Sequence, residues 1–138
     1  MLQSSAMTYE TFNGDKNIIV SATIAKARRV KFIGFDFDGV MTDGTVLVRQ
    51  DGTESVRCSR RDGLGFNMLA KAGIKCCIIS KEANPVVAAR AKKLKIPYHQ
   101  GVVSDGKLAI FKATLKRLRL KMSQAAYMGD DVNDLPTL

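Results

Sequence analysis

A chain of 138 residues with 46% hydrophobic content holds one domain with one ordinary core and leaves no room for a second folded unit. No apolar run approaches the ~18–20 residues that span a bilayer. The opening MLQSSAMTYE lacks the basic start and apolar stretch of a secretory signal, and three cysteines, two of them adjacent, make neither a disulfide framework nor a metal-ligand spacing. The expectation is therefore a cytoplasmic protein with no membrane partner. The net charge of +9 is spread along the chain, and 7% aromatic content without a Trp supplies few platforms for stacked bases, so no nucleic-acid partner is expected. A positive field equally suits a small anionic substrate.

Residues 1–22 carry no clear periodic signal and read as a leader, with Ile18–Val20 as a pairing candidate. Ala22–Arg29 reads as a short helix, and Val30–Phe35 as a buried strand ending at the acidic, Gly-containing stretch Asp36 to Gly39. Two β-prone runs follow, Thr45–Gln50 and Thr53–Cys58, with only Asp51 and Gly52 between them, which predicts a type I′ hairpin. Asp62 is expected to cap a helix that turns Leu64, Met68 and Leu69 to the core and stops at Gly73. Ile74–Ser80 reads as a second buried strand. Asn84 and Pro85 open a helix running to about Lys95, and Ile96–His99 reads as a short strand. Ser104 opens a helix with Leu108, Phe111, Leu115 and Leu118 at helical spacing, and Ala125–Met128 is the last strand, ending in Gly129, Asp130 and Asp131. Helices alternating with short apolar strands predict an α/β fold, a Rossmann-like parallel sheet covered on both faces, with one small β-hairpin insertion.

In such sheets ligands sit beyond the carboxyl ends of the strands. Those ends carry Asp36 and Asp38, then Ser80, then Asp130 and Asp131, while Lys107 lies in the first turn of a helix. Carboxylates, a hydroxyl and an ammonium thus reach one rim from four places in the chain. A hard cation such as Mg²⁺ takes one or two carboxylates plus phosphate oxygens, and Asp36 and Asp130 are suited to supply them. An aspartate can also attack phosphorus and form an aspartyl-phosphate. Asp38, two residues on, projects to the same side in extended chain, where it can protonate a leaving alkoxide and then deprotonate water. Ser80 can bond a phosphate oxygen, Lys107 can offset charge on the transferring group, and Gly39 lets the backbone turn closely beneath it.

DFDGVMTDG at Asp36–Gly44 resembles the first signature of the haloacid dehalogenase-like phosphohydrolases. Ser80, Lys107 and the run Gly129 to Asp134 stand in the order of that superfamily's remaining motifs. The resemblance implies Asp36 as nucleophile and Asp38 as general acid/base. It puts Mg²⁺ on the Asp36 carboxylate, the Asp38 carbonyl and Asp130, with Asp131 and Asp134 supporting the metal and Lys107 from behind. One departure is Gly106 between Asp105 and Lys107, where many relatives have the acid directly before the lysine.

The gaps between motifs are filled by one hairpin and by single helices, so no cap domain is expected. The GVMTDG stretch with its hairpin resembles a capless group. It comprises the 3-deoxy-D-manno-octulosonate 8-phosphate phosphatases, the 2-keto-3-deoxynononate 9-phosphate phosphatases and the phosphatase-like domain attached to some CMP-sialate synthetases. That resemblance implies a homotetramer built on the hairpins and a sugar acid phosphate as substrate. Ser80–Ile96 is closer to the nononate branch, which implies Glu82, Arg90 and Lys93 as substrate-selecting residues. On the residues alone, Arg90 and Lys93 share a helix face that either meets a sugar carboxylate or is simply solvated. The family continues with another strand and helix beyond Asp134, so 23–138 is expected to be a phosphatase domain shortened at its C-terminus. Two rivals stand beside this reading. One is a signalling receiver domain, disfavoured because the strand before Ser80 carries no acid; the other is a catalytically silent oligomerisation module.

Overall fold

The computed structural model describes residues 21–103 and 106–138. Of the leader over 1–22, residues 1–20 lie outside the described residues, as do the pairing of Ile18–Val20 and the helix start at Ser104, whereas 21 and 22 are helical. A helix, α1, is described over 21–27. Then come β1 (Phe32–Phe35), β2 (Thr42–Val48), β3 (Glu54–Cys58), α2 (Arg61–Lys71), β4 (Lys75–Ile79), α3 (Val86–Leu94), β5 (Tyr98–His99), α4 (Gly106–Leu118) and β6 (Ala125–Met128). Short 3₁₀ turns occupy Met122–Gln124 and Val132–Asp134.

The alternation of strand and helix produces a four-stranded parallel sheet in the order β5-β4-β1-β6, with β2 and β3 as a separate antiparallel pair. Successive strand residues point to opposite faces, so the sheet is sandwiched between two cores. Cys77 and Ile79 join Phe32, Phe111 and Leu115 under α4. Ile78 joins Phe37, Met41, Val87, Ala91 and Ile96 on the side of α2 and α3. Burial raises the thiols of Cys76 and Cys77 to about 11, which keeps both protonated as packing groups. No helix among the described residues is long and apolar enough to cross a membrane.

Three expectations are corrected. The hairpin strands begin at Thr42 and stop at Val48, and Glu54 resumes the pairing, so the connection is 49–53 rather than two residues. Gly52 donates to the Arg49 carbonyl and Arg49 to the Thr53 carbonyl, and of the pair Asp51-Gly52 only Gly52 has positive φ, at 80°. A type I′ turn needs positive φ at both central residues; an Asp-Gly pair also fits a type I turn closed by a left-handed glycine, and that geometry is adopted here. Asp62 does not cap α2, whose N-cap is Arg60 without a side-chain bond; Asp62 lies in the first turn and accepts instead from Arg90. Leu64 and Met68 are 66% and 63% exposed, while Phe66 packs on the core. The period of 3.6 allowed either stripe to face inward, and the aromatic one does.

Candidate active site

The sheet ends at a rim where β1 stops and Asp36 follows at once. Its backbone N–H donates to the Met128 carbonyl, at 2.8 Å, which continues the β1–β6 ladder by one bond. The chain then leaves the sheet in a tight turn, with Met41 and Thr42 both donating to the Phe37 carbonyl. Asp36 Oδ1 accepts from the Phe37 N–H at 2.7 Å, and Oδ2 accepts from Lys107 Nζ at 2.7 Å. Burial pushes the Asp36 carboxyl up to about 6, against the opposing pull of Lys107 and the Phe37 N–H.

Lys107 is 2% exposed and reaches a second carboxylate, Asp134 Oδ1, also at 2.7 Å. Burial alone would lower the ammonium's pKa, but its two carboxylate partners outweigh that and raise it, so the lysine stays charged. Burial likewise pushes Asp134 up. Lys107, the Tyr127 hydroxyl at 3.0 Å and the Asp131 N–H at 3.3 Å more than offset it, and Asp134 is held below the usual carboxylate range. Asp131 itself caps the 3₁₀ turn Val132–Asp134 by accepting from the Val132 N–H. The chain after β6 thus folds Asp134 back under Lys107. A Cβ on Gly129 would sit 2.3 Å from Asp134 Cγ, so that return needs glycine.

Asp38 stands half-buried on the same rim. Thr42 Oγ1 donates to its Oδ1 at 3.4 Å and accepts from the N–H groups of Gly39 and Gly44. Burial raises its pKa, with Glu82 and Asp130 adding to the shift. A carboxyl whose pKa is raised by burial and by nearby carboxylates is better suited to donating a proton to a leaving group than a solvated one.

Ligand oxygens of Asp36, Asp130 and Asp134 lie within 4.8 Å of one another. Asp134 spends its oxygens on Lys107, Tyr127 and Asp131, while Asp130 is exposed at the mouth. At Gly39, with φ +69°, a Cβ would fall 1.6 Å from Asp130 Oδ2, so the backbone passes directly against that carboxylate. An all-oxygen set with one buried and one open carboxylate fits Mg²⁺. Of these carboxylates, Asp36 and Asp130 could hold such an ion.

A cavity of about 490 Å³ opens over these groups, lined among others by Asp36, Asp38, Ser80, Glu82, Asp130 and Asn133. Ser80 is buried, and its Oγ accepts from the Glu82 N–H at 3.1 Å, which leaves the hydroxyl proton free to donate. Glu82 Oε1 accepts from the Asn84 N–H, and the Asn84 side chain reaches Glu54 on the hairpin. Arg90 and Lys93 do not line this cavity. The Arg90 guanidinium donates to the Ser59 carbonyl and pairs with Asp62 at 3.4 Å; Lys93 is exposed on α3, as is His99 at its strand end. Asp43 lies on β2, where bonds from the Thr45 hydroxyl and from Arg57 pull its pKa down to about 2. Thr42 and Tyr127 were not anticipated from sequence. Thr42 carries a local signal, a threonine four residues after Asp38, whereas Tyr127 reads simply as an apolar strand residue.

No family model matches the chain. The 3-deoxy-D-manno-octulosonate 8-phosphate phosphatase KdsC of Escherichia coli K12 is 32% identical over 116 residues, which cover 83% of this chain and 61% of that protein. A hydrolase of subfamily III A of the haloacid dehalogenase superfamily from Legionella pneumophila superposes with a TM-score of 0.84 at 34% identity, over 88% of this chain and 66% of that one. The 3-deoxy-D-manno-octulosonate 8-phosphate phosphatase of Moraxella catarrhalis, solved with magnesium, phosphate and KDO, superposes at 0.75 with 36% identity, over 82% and 64%. The fold and its paired-aspartate rim make this chain a member of the haloacid dehalogenase superfamily. Within it, the chain groups with the KdsC-like members and spans about three fifths of the length of the curated relatives it matches.

Proposed function

We propose that this chain carries the catalytic residues of a Mg²⁺-dependent phosphomonoester hydrolase acting on a 2-keto-3-deoxy sugar acid phosphate. The observation that carries the reading is the Lys107 ammonium at 2.7 Å from Asp36, with Asp130 open beside it. Asp36 attacks phosphorus, a P–O bond to its carboxylate forms, and the ester P–O bond breaks. Asp38 gives its proton to the departing alkoxide. Water then attacks the aspartyl-phosphate, Asp38 takes the water's proton back, and Asp36 is freed as phosphate leaves. Lys107 and the Ser80 hydroxyl meet the phosphoryl oxygens, and Mg²⁺ supplies the remaining charge compensation. Asp131 and Asp134 hold the loop and the lysine.

Among substrates, 3-deoxy-D-manno-octulosonate 8-phosphate is the better supported, because the matching relatives carry that name. The preference for nononate 9-phosphate drawn from Ser80–Ile96 finds no support among them, and within this chain Arg90 is occupied by Ser59 and Asp62. A homotetramer in the cytoplasm belongs to the same proposal, with Glu82, which lines the cavity, as the substrate-selecting residue of the three named from Ser80–Ile96. Phosphate release from the eight- and nine-carbon substrates in parallel, with and without Mg²⁺, tests it. Faster turnover of the eight-carbon ester is expected; no release from either overturns it.

A further inference from the structure

We propose that Tyr127 is a positioning residue, whose hydroxyl fixes Asp134 in the orientation that keeps the Lys107 ammonium on Asp36. This rests on the phosphatase reading of the site.

The seat of the ring is built into the sheet. Tyr127 on β6 stands in register with Gly34 on β1, and its ring meets Phe111 of α4 edge-on at 5.7 Å and 88°. A Cβ on Gly34 would lie 2.7 Å from Tyr127 Cδ2 and 3.0 Å from the Phe111 ring. Gly34 is not among the glycines with positive φ, so its backbone alone would accept an alanine. Glycine in a central strand costs stability. Here it makes room for the tyrosine ring.

From that seat the hydroxyl reaches two acceptors, the Ile79 carbonyl at 3.3 Å and Asp134 Oδ1 at 3.0 Å. A phenol has one proton to give, and an ionised carboxylate is the stronger acceptor. Asp134 Oδ1 is the same atom that accepts from Lys107. Asp134 is fully buried, so no water replaces a lost donor. Without the hydroxyl, Asp134 Oδ1 keeps Lys107 as its donor, and only the Asp131 N–H on Oδ2 still opposes the carboxylate drawing the ammonium off Asp36. A tyrosine serving only the core would be satisfied by the Ile79 carbonyl and would touch stability alone.

Tyr127→Phe keeps the ring and removes the bond. With saturating Mg²⁺ and para-nitrophenyl phosphate, well below the melting temperature, kcat should fall about three- to tenfold at unchanged KM. In an Asp134→Asn background the same substitution should cause no further fall. A wild-type kcat in Tyr127→Phe, or losses that multiply in the double variant, would overturn the proposal. If wild type releases no phosphate, the phosphatase reading fails but this one is still decided, by the ¹⁵N resonance of the Lys107 ammonium. The same measurement decides if Asp134→Asn does not fold. The proposal expects that resonance to move in Tyr127→Phe; an unmoved resonance means the hydroxyl is structural.

Discussion

The backbone at Gly39 runs so close beneath the Asp130 carboxylate that a single added Cβ would lie 1.6 Å from its Oδ2. The same residue has φ +69°, a conformation that side chains rarely take. Gly39 therefore fixes the distance between the loop carrying Asp38 and the loop carrying Asp130. Gly39→Ala should push the two apart and cost about 1–2 kcal/mol of stability from the left-handed backbone alone. A shift of ~1 Å among reacting groups commonly costs about 10²-fold, so turnover should fall by at least that much while the chain stays folded. Steady-state kinetics alongside urea unfolding check both parts.

Asp36 is buried against Lys107, and its carboxyl is pushed up to about 6 from an ordinary 3.8. Between those values the folded chain holds a proton that the unfolded chain has released. The stabilising contribution of protonated Asp36 is thus present at low pH and lost as pH rises through about 6. A divalent cation must displace that proton, so apparent Mg²⁺ affinity should tighten about tenfold from pH 5 to pH 7. Calorimetric titration across that range checks it, and Asp36→Asn should flatten the dependence.

Arg90 bridges α3 to the connection between β3 and α2 through Ser59 and to the first turn of α2 through Asp62. Arg90→Ala should lower stability by about 1–2 kcal/mol, and should reduce kcat/KM for a sugar acid phosphate and for para-nitrophenyl phosphate together. A loss confined to the sugar acid phosphate would instead assign the guanidinium to the substrate's carboxylate. Parallel kinetics on the two esters separate the outcomes.

The hairpin exposes Val46, Leu47 and Val48 at 51%, 65% and 58%. A two-stranded ribbon with such a surface is marginal alone in water. Light scattering at micromolar concentration should give a tetramer, and Leu47→Glu should lower the mass. A wild-type monomer would contradict the hairpin-built assembly.

The rim was legible in the sequence because parallel strands end in the same place and short apolar runs mark those ends. Asp36, Asp38, Ser80 and Asp130 follow such runs and line one cavity, and Lys107 reaches it from α4. What stayed hidden depended on choices between equivalent patterns. Phe66 and Leu64 are both apolar at helical spacing on α2, and only packing against Phe35 and the sheet decides which turns inward. Asp51-Gly52 serves two turn types equally. Tyr127 looks like any strand aromatic until Asp134, seven residues on, folds back to meet its hydroxyl. The partners of Arg90 lie about thirty residues away, at a separation that helix periodicity does not address.

The central claim is that phosphate passes through Asp36. Rapid acid quench of the enzyme with substrate labelled in its phosphoryl group, followed by peptide mapping, tests it most directly. The account predicts label on the peptide at Asp36, formed and lost at rates compatible with turnover, and none in Asp36→Asn. Phosphate released by an enzyme that never carries label there would contradict it.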